Sequence, residues 1–390
     1  MGNYFFLQVF TVIFALSIAT TIFNKRILGF PQAIGVPIVS AIFVFILQWG
    51  ASLLSGNQFI TINIHNIEEA VRHIDFYDFL INGVICFILT SSALKFKVSD
   101  LRSYWKPISI LASIALVLCA VFFGVVLYGY QFIIGQHVDL LVLLLLGAAL
   151  GATDPIGIKG VLSSVRAPHH LMVKLEGESL FNDAMCIALF MTLLNVLQGE
   201  NFTVMGVLQT LLYEIFVAVI IGWAFGLGIL RLLRGKHEME SLILTTALLA
   251  CGSYLVALFA HASAPIACVI GGLIVGNKWK EILQEREIRE VNHFWHTVEG
   301  IINSFLFTLI GLELFILDLS FSLIFGGIVA FIILHASRFA ANYLSFAFFP
   351  SFRKKSYNGS LAILSWGGVR GGISLALILA VANVPELSEY

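Results

Sequence analysis

Gly151-Ala152-Thr153-Asp154-Pro155-Ile156-Gly157 lies in the middle of an apolar run, residues 138–165, that is otherwise long enough to cross a bilayer. Pro155 removes a backbone donor and disfavours helix at Asp154, and the glycines on either side weaken helix further. The expectation is two half-helices meeting at an extended stretch. Freed carbonyls and the Asp154 carboxylate would then face a cavity, the usual construction of an ion site within a membrane. A plain proline kink at a helix end would account for Pro155 but not for an acid beside it at membrane depth.

The surrounding chain supports that setting. Of its 390 residues 59% are hydrophobic and only 12% charged, where a soluble domain carries about 25% charge. A chain this apolar needs lipid as its solvent, which predicts an all-α polytopic membrane protein. Phe (34) and Gly (33) are both abundant, and close helix packing in a bilayer favours the latter. The net charge of −1 gives no hint of nucleic acid as a partner. The cysteines Cys86, Cys119, Cys186, Cys251 and Cys268 sit in apolar stretches, with neither disulfide nor metal spacing. The first apolar run lacks a basic stretch before it and a small-residue cleavage site after it, so no cleaved leader is expected.

Twelve runs are long enough to be read as spans: 4–23, 33–54, 76–95, 107–129, 138–165, 171–197, 206–230, 241–260, 263–277, 298–317, 321–349 and 358–383. The ninth is short, and Lys278 to Arg289 after it reads as a surface helix. Of the 22 Lys and Arg, 18 follow odd-numbered runs and only Arg72 follows an even one. The excess of Lys and Arg on cytoplasmic loops then places the N-terminus outside, and Tyr390 with it.

Charge within a span is costly and is usually kept for function. In run six, Glu176-Gly177-Glu178-Ser179-Leu180-Phe181-Asn182-Asp183 puts Ser179 and Asp183 on one helix face, with Glu178 and Asn182 on the neighbouring one. A cytoplasmic helix end would explain Glu176, since Lys174 is near, but not Asp183 about two turns deeper. In run eleven a buried Arg338 needs a carboxylate; Glu178 is the first choice and Glu313 the alternative, unless Arg338 snorkels to the cytoplasmic end. In run twelve Trp366-Gly367-Gly368-Val369-Arg370-Gly371-Gly372 surrounds one Arg with four glycines and predicts a second broken helix. Paired interruptions point to an inverted-repeat transporter site. Runs five and twelve are seven apart, so runs 1–6 would pair with 8–13, and a thirteenth span is expected beyond Tyr390. Glu214, Glu313, Lys159 and His261 are read as structural or interfacial, although Lys159 would add positive charge near Asp154.

Thr153-Asp154-Pro155, Glu176 to Asp183, Arg338 and Gly367-Gly368-Val369-Arg370-Gly371 together closely resemble the cation/proton antiporter family of bacterial NhaP and the animal sodium/proton exchangers. The order and spacing of these motifs match, and so does the run pattern along essentially the whole chain. The resemblance implies a homodimer of thirteen-helix protomers in the cytoplasmic membrane. Each would form one antiporter unit over 1–390, its core including roughly 76–197 and 298–390 and its dimerisation part roughly 1–54 and 206–277. Asp183 would be the main carboxylate for cation and proton, with Asp154, Ser179 and the Thr153 carbonyl completing the site and Asn182 organising it. Glu178 and Arg338 would form a structural ion pair, and Pro155, Gly368 and Arg370 would mark the crossing of the broken helices. Sodium, lithium or potassium would exchange for protons, one for one, by competition for Asp183. No cofactor and no enzymatic chemistry are implied, and the chain has no nucleotide-binding glycine–lysine spacing.

Two other classes use acids at membrane depth. A cation channel would more often repeat a filter around a symmetric pore, unlike the asymmetric pair Asp154 and Asp183. An intramembrane aspartyl protease would give no catalytic reason for Ser179-x-x-Asn182-Asp183, and its Asp would not precede a Pro.

Overall fold

The structure is a computed structural model that describes residues 5–53, 79–154, 162, 168–199, 203–235, 238–316, 320–348, 360–368, 370–374 and 377–378. Pro155, Lys159 and the Glu313 side chain, all singled out above, lie outside the described residues and side chains. Thirteen helices are described: α1 Phe5–Phe23, α2 Gln32–Leu53, α3 Ile85–Lys95, α4 Val98–Ile110, α5 Leu116–Ile133, α6 Leu140–Ala149, α7 His169–Leu197, α8 Val204–Leu232, α9 Met239–Phe259, α10 Ala264–Lys278, α11 Glu285–Ile316, α12 Phe321–Phe348 and α13 Ser360–Trp366. Among the described residues there is no strand, and six helical stretches are long and apolar enough to cross a membrane. Their outer faces carry the large apolar side chains that lipid would cover, such as Phe216 on α8, Phe259 on α9 and Phe331 on α12.

Local chemistry sets several boundaries. Asp139 starts α6 by accepting a hydrogen bond from the Leu141 amide at 2.8 Å, and Thr203 does the same for α8 through Gly206 at 3.1 Å. α4 runs into α5 through a wider turn at Leu111–Ala115, with a break at Tyr104 (φ −124°, ψ 18°) shortly before Pro107. The segment after α10 is not a separate surface helix. A short turn, Trp279–Glu281, leads into α11, whose first turns carry Glu285 to Arg289 and which continues without interruption to Ile316. Arg286 and Glu290, four apart, pair at 2.8 Å there, so a polar beginning propagates directly into the apolar helix.

The helices pack as two groups. α5, α6, α7, α12 and α13 form one, with α4 laid against α7. α5 and α6 approach closely because Gly147 presents no Cβ to the Ala120 carbonyl, which would lie 2.7 Å from one. The other group is α1, α2, α3, α8, α9, α10 and α11. Within it α3 packs on α10 and α11 on α2, and a buried hydroxyl seam joins Ser17 to Thr308 (3.0 Å) and Ser40 to the Thr308 carbonyl (3.0 Å). By packing, then, α3 and α11 sit with the helices of 1–54 and 206–277. Division by chain position groups 76–95 and 298–317 with the motif-bearing runs instead. The two groups meet mainly through α7 against α10 and α8, and a cavity of about 510 Å³ lies between them.

Candidate ion-binding site

The site grows from the end of α6. Once the helix stops at Ala149, the carbonyls of its last turn and of the extended residues beyond it lose their helical donors, and buried carbonyls must be satisfied elsewhere. α7 supplies three donors from one polar stripe. Ser179 Oγ donates to the Thr153 carbonyl at 2.5 Å, Asn182 Nδ2 to Gly151 O at 2.9 Å and to Thr153 Oγ1 at 3.1 Å, and Cys186 Sγ to Ala148 O at 2.9 Å. The second interruption supplies the rest. α13 ends at Trp366, helix resumes at Gly372, and between them Arg370 Nε donates to Leu150 O at 2.9 Å; beyond it Ser374 Oγ donates to Ala152 O at 3.0 Å. Arg370 also donates to the Gly368 carbonyl within its own loop. Gly371 abuts Asp154; a Cβ there would come within 2.8 Å of the Asp154 Cβ. The two broken stretches therefore cross against one another, held by side chains rather than by helix.

Asp154, Thr153, Ser179 and Asp183 line the cavity at this crossing. Two carboxylates, a hydroxyl and a backbone carbonyl form an all-oxygen set, the ligand chemistry of a hard cation. Facing it is a stripe on α11. His296, Glu299 and Asn303 repeat the spacing of Glu176, Ser179 and Asp183 on α7, and all six line the same cavity. Glu299 Oε2 accepts from Lys95 Nζ at 2.6 Å and from Ser91 Oγ at 2.9 Å, both on α3.

Arg338 lies outside the cavity lining. It is buried on α12, and its Nη2 donates to Glu178 Oε1 at 2.6 Å and to the Leu364 carbonyl at 3.2 Å. Glu178 is thus the carboxylate the structure places against Arg338. The guanidinium packs on Gly368, whose missing Cβ would sit 2.5 Å from Arg338 Cζ.

The profile of the family described as "Sodium/hydrogen exchanger, transmembrane" matches residues 12–387. The chain belongs to the sodium/hydrogen exchanger family. It is 34% identical over 380 residues to the Na(+)/H(+) antiporter NhaP of Pseudomonas aeruginosa, covering 95% of this chain and 88% of that one. It is 30% identical to the Na(+)/H(+) antiporter NhaH of Halobacillus dabanensis, over 81% of this chain and 78% of the other. The solved structure of the sodium proton antiporter MjNhaP1 from Methanocaldococcus jannaschii at pH 8 superposes with a TM-score of 0.75. That match is at 16% identity and covers 98% of this chain and 88% of that one, which shows a shared fold. This is a family of membrane transporters, not of enzymes.

Against that family background, the expected residues Thr153, Asp154, Ser179, Asn182 and Asp183 converge on one crossing, with Arg370 bonded to it from the far side. Sequence reading missed Ser374, Cys186, Glu299 and Lys95. For Glu299 a signal existed: His296-x-x-Glu299-x-x-x-Asn303 has the same spacing as the polar stripe of run six. His261 adopts positive φ (50°) in the turn after α9.

Proposed function

We propose that this exchanger moves sodium, or another alkali cation, against protons across the cytoplasmic membrane by competition for Asp183. The observation that carries the reading is the convergence of Asp183, Asp154, Ser179 and the Thr153 carbonyl on one cavity between two helix groups. A bare carboxylate in such a place is costly, so it holds either a proton or a cation stripped of most of its water. Each displaces the other, and the loaded group turns its site to the opposite side by alternating access. The fold is an inverted repeat of thirteen-helix protomers in a homodimer, its N-terminus outside. On that orientation the Lys95 end of the cavity is cytoplasmic.

One carboxylate exchanging one proton for one cation carries the same charge in both directions. The cycle is then electroneutral and feels no membrane potential, whereas a net charge would feel about 2.3 kcal/mol per 100 mV. In proteoliposomes with potassium and valinomycin clamping the potential at zero or at a large inside-negative value, sodium-driven proton flux should show equal initial rates and equal end points. Potassium must first be shown not to be a substrate. A potential-dependent end point would mean that more than one proton moves, with Asp154 as the second carrier. Sodium flux without proton counterflow would identify a channel instead.

Glu299 supports the same reading from the other wall. It offsets the charge of Lys95 in the same cavity, which would otherwise repel cations from the site. Glu299→Gln is expected to raise the apparent KM for cytoplasmic-side sodium by about tenfold with little change in maximal rate. Lys95→Gln, which removes the opposing charge, is expected to lower it. Equal falls in maximal rate and yield for both variants would assign the pair to structure alone.

A further inference from the structure

A second cavity, also about 510 Å³, lies away from the ion path where the C-terminal ends of α8 and α10 meet. Arg231 is in the last turn of α8 and Arg234 just beyond it; Lys278 ends α10. All three line this cavity, with Glu281 as the only carboxylate among its lining residues. Its floor is apolar, made by Leu227, Leu230 and Ile282.

Three observations set this cluster apart from ordinary surface charge. First, none of the three cations makes an ion pair among the described residues, whereas Arg286 and Arg289 on nearby α11 are each paired with a glutamate of their own helix. Second, the helix ends that carry the cations are held in place. Gly222 and Gly226 let α8 approach α10 so closely that a Cβ on either would come within 2.9 Å of an α10 isoleucine Cβ, fixing the separation of the two helix ends. The turn that follows α10 is anchored by Trp279, which is 1% exposed. Third, the cavity joins a cationic rim to an apolar floor at the helix ends where Lys and Arg gather, the boundary between headgroups and acyl chains.

We propose that this cavity binds a phosphate-bearing anion, and that its occupant is the headgroup of an anionic phospholipid of the cytoplasmic leaflet. The phosphate takes the guanidinium forks of Arg231 and Arg234 and the Lys278 ammonium. The glycerol end rests on Leu227, Leu230 and Ile282. This site goes beyond ion exchange and does not depend on the assignment of Asp183.

The test is thermal melting of the purified full chain in detergent during titration with phosphatidylglycerol, with phosphatidylcholine, or with inorganic phosphate at constant ionic strength. Phosphatidylglycerol should raise the melting temperature saturably and phosphatidylcholine should not. In Arg231→Gln/Arg234→Gln protein the half-saturating phosphatidylglycerol concentration should rise about 30-fold, roughly fivefold for each basic residue lost. The Arg231→Lys/Arg234→Lys protein, which keeps the charge, should retain most of the response and shows that the scaffold tolerates change there. Lys280→Gln, an exposed cation outside the cavity lining, should leave the titration unchanged. An equal loss with Lys280→Gln, or an unchanged titration in the double glutamine variant, would overturn the site. Saturation by submillimolar inorganic phosphate that abolishes the phosphatidylglycerol response would overturn the lipid as its occupant.

Discussion

Asp183→Asn protein should fold, extract and elute as the wild type does, and should lose sodium-driven proton flux by more than about 100-fold. The loss corresponds to at least about 2.7 kcal/mol. Asparagine has almost the shape of aspartate, so the α7 stripe and its bonds to Gly151, Thr153 and Ala148 need not move. What disappears is a group that can carry either a proton or a cation. Asp154→Asn should also lose exchange, because Asp154 lines the same cavity beside Gly371. In the wild type, competition has its own signature. Once protons hold most of the sites, the apparent KM for sodium should rise roughly tenfold per unit fall in pH on the sodium side, with the maximal rate unchanged. Substantial exchange by folded Asp183→Asn protein would remove Asp183 from the site. A pH-independent KM would remove competition even if Asp183 proved essential.

The parts of this site that sequence could supply are those written in local chemistry. Asp154 beside a proline, and Asp183 deep in an apolar run, stand out because charge at that depth has a large cost. The helical period alone then puts Ser179 on the same face as Asp183. The interruption at Gly367 to Gly371 is equally local. What stayed hidden depends on the chain meeting itself across tens to hundreds of residues. Nothing near Ser374 says that its hydroxyl serves the Ala152 carbonyl, and nothing near Cys186 says that its thiol serves Ala148. Glu299 is hidden because apolarity starts run ten at residue 298, which makes Glu299 a helix end; the polar turns from Glu285 are in fact part of the same helix. The grouping of α3 and α11 is hidden for a related reason. Hydropathy counts spans but does not say which span packs on which, since lipid and helix are equally apolar neighbours.

Arg338→Ala is expected to act on stability rather than directly on exchange, at a cost of about 3–5 kcal/mol. Arg338 and Glu178 are 5% and 2% exposed, so removing either strands the other as a buried charge. Their contact is also incomplete. One bond of 2.6 Å joins Nη2 to Oε1, while Arg338 Nε and Glu178 Oε2 have no hydrogen-bond partner among the described residues. A buried pair with unsatisfied atoms recovers little of its desolvation cost, so replacing both members with apolar residues should cost less than replacing either. Thermal melting of Arg338→Met, Glu178→Met and the double variant measures this directly. The double should be milder than either single, so it should fall short of their sum by at least about 3 kcal/mol. A double variant as unstable as that sum would show that the contact carries no coupling. Gly368 gives an independent check on the same geometry. A Cβ at Gly368 would come within 2.5 Å of Arg338 Cζ, and the guanidinium cannot retreat without lengthening its bonds to Glu178 and the Leu364 carbonyl. Gly368→Ala should therefore destabilise the wild type while adding almost nothing in an Arg338→Ala background, where the colliding group is gone. An equal cost in both backgrounds would mean that Gly368 is needed for the backbone of the crossing and not for the room it leaves Arg338.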